Sequence, residues 1–314
     1  MSPARLLEAV PNFSEGRDPA VVLAIVDAMK AAGADILDWS ADADHHRSVV
    51  TLVGSPDIIE NAAVEGARVA VERIDLNRHQ GVHPRVGALD VFPVVPVAGA
   101  TLDDARTAAR RIGQRLAREL GIPVYFYGAA SEPPGRPLSA LRQGGFETLR
   151  AGWPSDRPAD IVPTAWPHAG AHPTAGVTCV GARPVLLAWN VFVTGITDAQ
   201  ARQIAHGLRE TGGGFPGLRA LALRLRAANR LQISMNLENV ERTQPMDVFR
   251  RIEVLVQELG GAIVETEIIG MLPDPLVWGA AADRLKLAPE TASRLLSRSL
   301  VDVLTRERRT SQDA

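Results

Sequence analysis

Apolar and polar positions in the first half of the chain alternate between strand-like and helix-like patterns. Four apolar, β-rich runs predict strands at 5–12, 34–40, 48–54 and 88–97. Two amphipathic stretches lie between these strands, the first after Asp18-Pro19 and the second after Ser55-Pro56, and both pairs are typical of helix N-termini. The predicted order is therefore β-α-β-β-α-β, and the prolines within 88–97 indicate an edge strand or a bulge.

A helix at 102–120, with a Thr101–Asp104 capping box, and a strand at 122–128 are predicted after the first unit. Residues 145–180 then show no clear period, as in a linker or a binding loop. The second half of the chain repeats the β-α-β-β-α-β order. The repeated unit follows as predicted strands and helices at 184–194, 197–210, 218–226, 231–237, 245–259 and 262–269. We predict an α+β protein of two tandem ferredoxin-like (βαββαβ) subdomains with additional helices, divided into 1–180 and 181–314.

Composition narrows the classes of protein to consider. A length of 314 residues suits two domains of roughly 100–200 residues each, and 46% apolar with 22% charged residues is ordinary for a globular chain. A net charge of −2 argues against a nucleic-acid partner, and no apolar run approaches the roughly 18 residues that a membrane span needs. Cys179 is the single cysteine, which excludes an internal disulfide. We expect a cytoplasmic protein without a signal peptide or a membrane partner.

Histidines concentrate in three polar segments, at 42–47, 79–85 and 168–173. The four-residue spacing of His79 and His83 would suit a zinc site on a helix, but Gly81 and Pro84 disfavour a helix, so we predict no metal. Imidazoles in such loops serve either in acid/base chemistry near neutral pH or as backbone-satisfied loop residues. The sequence favours acid/base use but leaves both interpretations open.

Two further segments carry polar groups beside predicted strands. The acids and histidines of 42–47 form either a solvated turn or a group that orients an amine or amidine. Asn12, Ser14, Glu15 and Arg17 precede a helix, so their backbone amides either cradle an anion or only cap that helix. No Gly-x-Ser-x-Gly motif occurs, which gives little support to a serine hydrolase.

Several stretches of the chain are similar to one known family. They are VPNFSEGRD at 10–18, HRSVVTLVG at 46–54, IDLNRHQGVHPRVGALDVFPVVP at 74–96, GARPVLLAWN at 181–190 and ISMNLEN at 233–239. Together they resemble glutamate formimidoyltransferase, the formiminotransferase domain of formimidoyltransferase-cyclodeaminase, and HPRVGALDVFP is the most specific of them. The resemblance implies transfer of a formimidoyl group from N-formimidoyl-L-glutamate to N5 of tetrahydrofolate during histidine breakdown. It also implies two ferredoxin-like subdomains and a homodimer.

The resemblance also implies roles for individual residues. The family's catalytic histidine falls on His83, which would act as general acid and base. The folate-contacting stretch predicts cofactor-binding residues Pro167, His168, Gly170, His172, Thr174 and Gly176. Charge complementarity to a dicarboxylate amidine, together with the motifs, suggests substrate-binding residues Asn12, Asp42, Asp44, His46, Arg47, His79, Arg85 and Arg183. Tetrahydrofolate is expected as a co-substrate.

The sequence departs from the family at three places. His46 stands where members commonly have asparagine, Ser40-Ala41-Asp42 stands where many have His-Ser-Asp, and Ala165 to Gly170 lack the Asp-Phe-Gly-Pro often found there. Two alternatives to the implied function are kept, and the departures at His46 and 165–170 motivate the first. One is a folate-dependent formyl or formimidoyl transferase with another amine donor, as in 5-formyltetrahydrofolate salvage, and the other is a non-catalytic folate-binding protein.

Overall fold

A computed structural model describes residues 5–43, 45–81, 84–225, 230–238, 240, 242–269 and 274–285. The chain divides into two compact units, Met1–Arg183 and Pro184–Ala314. Each unit combines a β-sheet with α-helices, so the α+β class is confirmed.

The first unit begins with the predicted βαββαβ order and then extends it. Its elements are β1 (Leu7–Ala9), β2 (Asn12–Phe13), α1 (Pro19–Ala31), β3 (Asp35–Asp42), β4 (Arg47–Gly54), α2 (Pro56–Arg73), β5 (Leu89–Pro96), α3 (Leu102–Leu120), β6 (Val124–Gly128), α4 (Leu138–Leu141), α5 (Gly145–Ala151) and β7 (Thr178–Ala182). The predicted helix starts are confirmed, because the side chains of Asp18 and Ser55 cap α1 and α2. Thr101 and Asp104 form the predicted capping box at α3.

The sheet of this unit places β5 in its interior. The strand order is β3-β4-β1/β2-β5-β7-β6, antiparallel as far as β5 and parallel from β5 through β7 to β6. The edge position suggested by the prolines of β5 is therefore wrong. A register shift in the pairing with β2 lies at Asp90, because Asn12 pairs with Val91 while Phe13 pairs with Leu89, and the pairing at the prolines themselves is regular. Strand β7 was not predicted, because it lies at the end of a Gly- and Pro-rich stretch.

The two faces of this sheet are covered differently. Helices α1, α2 and α3 pack on one face around Phe13, Phe92 and other apolar residues. The other face carries a second cluster with Tyr125 and Cys179, to which Leu141 of α4 and Leu149 of α5 belong. Arg142, directly after α4, pairs with Asp90 at the start of β5, and Glu147 of α5 pairs with Arg85 just before that strand.

The second unit has one sheet and its own core. Its elements are β8 (Leu187–Thr194), α6 (Asp198–Leu208), a 3-10 turn (Glu210–Gly212), β9 (Leu218–Leu225), β10 (Arg230–Leu237), α7 (Pro245–Glu258), β11 (Ala262–Ile269) and α8 (Asp274–Leu285). The antiparallel strand order is β11-β8-β10-β9. The turn implied between the strands predicted at 218–226 and 231–237, near Ala228-Asn229, lies outside the described residues. Within the described ranges, no helix is long and apolar enough to cross a membrane.

Candidate active site

A small cavity of about 10 Å³ lies in the first unit, where β2 ends and β4 and β5 begin. A cavity of this size holds about one water molecule, so only the end of a ligand fits without movement of the walls. It is lined by Phe13, Ser14, His45, His46, Arg47, His79, Arg85 and Asp90. Four residues predicted to bind substrate, His46, Arg47, His79 and Arg85, are thus brought together by the fold.

Glu15 lies in the tight loop after β2 and organises one side of the site. Its Oε1 accepts the backbone N–H groups of Gly16 at 2.9 Å, Arg17 at 2.7 Å and Asp18 at 3.0 Å. Burial raises the pKa of this carboxyl, but these backbone hydrogen bonds and nearby His46 outweigh burial and lower the pKa below its usual value. Of the amides considered for an external anion, that of Arg17 therefore binds the protein's own carboxylate, while that of Ser14 donates to the carbonyl of Ala88 at 2.9 Å.

His46 joins this carboxylate to the segment after α2. Its Nε2 lies 3.2 Å from Oε1 of Glu15, and its Nδ1 accepts the backbone N–H of Gln80 at 3.3 Å. Because Nδ1 is an acceptor, the proton of a neutral ring lies on Nε2, which donates to Glu15. The backbone of His46 is left-handed, with φ of 51°. Both ring nitrogens are therefore engaged within the protein at the position where the family commonly has asparagine.

His79 stacks on His46, with ring centroids 4.2 Å apart and an angle of 11° between the rings. Its Nε2–H donates to the backbone carbonyl of His46 at 2.8 Å, and its Nδ1 is buried with no hydrogen-bond partner among the described residues. Burial, together with the charges of Arg85 and His46, lowers the pKa of His79 and outweighs the hydrogen bond to His46 and the charge of Glu15. The ring is therefore neutral at pH 7 and carries its lone pair on Nδ1.

Gly81 permits the close approach of this loop to the hairpin before β4. A Cβ at this position would overlap the carbonyl oxygen of His45 and lie 2.9 Å from both His46 Cβ and His79 Cε1. A side chain here would therefore force the two loops apart.

Arg85 lies on the other side of the His79 loop and is only partly exposed. Its Nη2 donates to the carbonyls of Leu76 at 3.2 Å and His79 at 3.4 Å, and to the carboxylate of Glu147 on α5 at 2.8 Å. The guanidinium thus fixes the loop and lines the cavity at the same time.

Asp90 and two arginines form a buried charged group at the start of β5. Oδ1 of Asp90 accepts the backbone N–H groups of Val86 at 2.8 Å and Gly87 at 3.2 Å, while Oδ2 pairs with Arg142. Burial, followed by the charge of Arg142, lowers the pKa of Arg47 to about 10 against the opposing effect of Asp90. This group of Asp90, Arg47 and Arg142 therefore carries two positive charges and one negative charge.

Other residues that the sequence predicted to bind substrate do not line the cavity. Oδ1 and Oδ2 of Asp42 accept from the backbone N–H and ring of His45 at 2.9 Å and 2.8 Å, which closes the hairpin between β3 and β4. Asn12 lies on β2 and donates to the carbonyl two residues before it at 2.7 Å. Asp44 and His83, the predicted catalytic histidine, lie outside the described residues.

Arg183 is placed at the opposite end of β5. Its backbone N–H donates to Val94 at 3.1 Å, and its charge acts on Glu8 and Tyr127. Burial raises the pKa of Glu8, which Arg183 partly offsets. The arginine therefore belongs to a different cluster from the cavity.

The predicted folate-binding stretch divides into a tight turn and an exposed part. His172 and Gly176 exchange two backbone hydrogen bonds of 3.0 Å, and Nδ1 of His172 accepts the N–H of Ala175 at 3.0 Å. The carbonyl of Thr174 accepts the N–H of Leu76 at 2.9 Å, which ties this turn to the start of the His79 loop.

The earlier part of the stretch is organised by Trp166. Its Nε1–H donates to the carbonyl of Gly170 at 2.9 Å, and its ring meets that of His168 edge-on at 4.8 Å between centroids. Pro167 and His168 are exposed to solvent. The two parts thus offer different chemistry: an aromatic surface and a rigid turn.

The side chains of three residues at this site were not predicted from the sequence. Glu15 entered only through its backbone amide, while Asp90 and Arg142 were not selected. The sequence could have indicated Asp90, because it lies within an otherwise apolar strand, and an acid in a buried strand needs a charged or hydrogen-bonding partner. No local signal identified Arg142, which lies 52 residues from its partner.

Comparison with known proteins agrees with the motifs. The formiminotransferase domain, N-terminal subdomain, matches residues 6–183, and the formiminotransferase domain matches 188–287. A glutamate formimidoyltransferase of Streptococcus pyogenes serotype M1 is 37% identical over 86% of this chain and 90% of its own length. A Thermoplasma acidophilum protein of the same name is 35% identical over 94% and 97%, respectively.

A longer relative matches over part of its length. The formimidoyltransferase-cyclodeaminase of Sus scrofa is 40% identical over 89% of this chain, which spans 52% of the pig protein. Since the two family models together cover most of the sequence and the full-length bacterial and archaeal relatives align almost end to end, the chain belongs to the formiminotransferase family.

Proposed function

We propose that this protein transfers the formimidoyl group of N-formimidoyl-L-glutamate to N5 of tetrahydrofolate, yielding 5-formimidoyltetrahydrofolate and L-glutamate. Its relatives of similar length carry the name glutamate formimidoyltransferase. The observation that carries the proposal is the cavity that combines a neutral buried imidazole, His79, with the guanidinium groups of Arg47 and Arg85. Such a site suits an anionic substrate whose reaction moves protons.

The chemistry requires two proton movements and no change of oxidation state. N5 of tetrahydrofolate attacks the formimidoyl carbon, and the bond from that carbon to the glutamate nitrogen breaks. One proton leaves N5 and one is added to the departing nitrogen. A single histidine can take up the first proton and return it in the second step, and we propose His83 for this role on the strength of the family motif. Holding both substrates together supplies a further part of the rate.

The charged residues suit the donor's two carboxylates. Arg47 and Arg85 line the cavity, and guanidinium groups bind carboxylates through paired N–H donors. Arg85 already binds Glu147 at 2.8 Å, so a substrate carboxylate would replace that exposed side chain.

We propose that the folate binds along 167–176. The hydrogen bond between Thr174 and Leu76 supports a common site, because it ties this turn to the loop that carries His79. Pro167, His168, Gly170, His172, Thr174 and Gly176 are the residues proposed to contact it.

We also propose that the chain forms two tandem ferredoxin-like subdomains that divide near residue 180. The strand orders support this, since each βαββαβ segment places its first and third strands between its fourth and second. A homodimer is the expected assembly, and light scattering coupled to gel filtration would test it.

Turnover with both substrates is the direct test of the reaction. The protein is incubated with N-formimidoyl-L-glutamate and tetrahydrofolate, the mixture is acidified, and the absorbance of methenyltetrahydrofolate is measured. A signal that needs both substrates supports the proposed donor and acceptor. Absence of signal from folded protein contradicts it, and a panel of other formyl and formimidoyl donors would then identify the substrate.

A further inference from the structure

Nδ1 of His79 is a buried hydrogen-bond acceptor within the described part of the site that has no partner there. The residue is 8% exposed and lines the cavity, while its other ring nitrogen is bound to the carbonyl of His46. An unsatisfied buried polar atom costs about 1–3 kcal/mol, so folded proteins rarely retain one without a reason. A ligand group that donates an N–H to this atom would remove that cost.

Two contacts with His46 set the orientation of the His79 ring. His46 stacks on one face at 4.2 Å between centroids, and the 2.8 Å hydrogen bond to the His46 carbonyl sets which nitrogen carries the proton. His46 is itself held by Glu15 at 3.2 Å and by Gln80 at 3.3 Å. The ring therefore cannot turn over to donate from Nδ1 without breaking the bond to His46.

We propose that Nδ1 of His79 accepts a hydrogen bond from the terminal N–H of the formimidoyl group and thereby selects amidine donors over formyl donors. This inference rests on the proposed function and names the part of the substrate that His79 recognises. The terminal nitrogen of an amidine carries hydrogens before, during and after transfer. A formyl group has an oxygen at the same position, which offers only lone pairs and would face the lone pair of Nδ1.

Among the described residues that line the cavity, the charged groups are less suited than His79 to accept this hydrogen bond. The guanidinium groups of Arg47 and Arg85 can donate hydrogen bonds but cannot accept them. The carboxylate of Asp90 already accepts two backbone N–H groups and pairs with Arg142.

Two substitutions separate recognition by Nδ1 from the structural bond made by Nε2. In H79Q the amide reaches the position of Nε2 and can donate to the His46 carbonyl, but no acceptor replaces Nδ1. In H79N the shorter amide presents an oxygen near Nδ1 but cannot reach that carbonyl. Each variant therefore keeps one of the two functions of the ring.

The test compares kcat/KM for N-formimidoyl-L-glutamate and N-formyl-L-glutamate, with tetrahydrofolate as the acceptor. A donor whose turnover is too slow to measure is assayed as a competitive inhibitor. We expect H79Q to lose roughly 10- to 100-fold more kcat/KM with the formimidoyl donor than with the formyl donor, the range of a hydrogen bond to a charged group. H79N should lose activity with both donors yet keep the wild-type preference. If H79Q loses equally with both donors, and so keeps the wild-type ratio of kcat/KM between them, the proposal is overturned.

A binding measurement keeps this inference separate from the proposed reaction. The ¹⁵N resonance of His79 Nδ1, assigned from its absence in H79Q, should shift on addition of N-formimidoyl-L-glutamate and not of N-formyl-L-glutamate. The selective shift without turnover would contradict the proposed reaction while supporting recognition by His79. Turnover without the shift would support the reaction and refute the inference.

Discussion

Replacing Glu15 by glutamine tests how much the internal carboxylate contributes to the first unit. Three backbone N–H groups and the ring of His46 converge on Oε1 at 2.7–3.2 Å, and the side chain is 14% exposed. Glutamine keeps an oxygen there but loses the charge. Hydrogen bonds to a charged group contribute about 1.5–3 kcal/mol and neutral ones about 0.5–1.5 kcal/mol, so E15Q should lose about 1–2 kcal/mol. For a unit of this size, that lowers Tm by about 2–8 °C.

The same substitution has a defined dependence on pH. The folded state lowers the pKa of Glu15 below its ordinary value of 4.5. The stability that the ionised carboxylate contributes is therefore complete above pH 4.5 and is lost as the pH falls through the pKa of the folded state. The difference in Tm between wild type and E15Q should therefore close in acid.

Glu65 is a matched control, because it is half-exposed and pairs with Arg68 at 3.3 Å, and E65Q should cost less than about 1 kcal/mol. Equal shifts in the two variants, or a gap that persists in acid, would refute the reasoning.

Three further predictions concern the same unit. H83A should fold with an unchanged Tm but lose roughly 10²- to 10⁴-fold in kcat in the methenyltetrahydrofolate assay, and near-normal turnover would remove His83 from general acid/base catalysis. G81A should separate the two loops, because the new Cβ overlaps the His45 carbonyl. It should therefore raise KM for the donor and cost about 1–3 kcal/mol on denaturant unfolding, and a wild-type KM would contradict the close approach. D90N should leave the charge of Arg142 buried without its partner and cost about 3–5 kcal/mol, whereas a loss below 1 kcal/mol would show that the pair is not needed.

The prediction of secondary structure succeeded where the determining contacts are local. Asp18, Ser55 and the Thr101–Asp104 box cap helices by bonds to amides within three residues, so the sequence itself shows both partners. Strand β7 and the interior position of β5 were missed for the opposite reason. Both depend on pairing between β5 and β7, which lie far apart in the chain.

The candidate site shows the same division. The motifs at 46–54 and 74–96 identified the segments that carry His46, Arg47, His79 and Arg85, and the fold brings all four to one cavity. They did not reveal that the Glu15 carboxylate accepts the backbone N–H of Arg17, or that Arg183 belongs to a cluster with Glu8.

The sequence alone therefore determined the family, the order of elements within the two βαββαβ segments and the capped helix starts, because periodicity and capping act over a few neighbouring residues. Only the tertiary structure decided which nitrogen of His79 is bound and which is left open. That choice depends on a carbonyl 33 residues away and on a ring held by Glu15, 31 residues before His46. Such contacts arise from strand register and loop packing, which no local pattern of residues encodes.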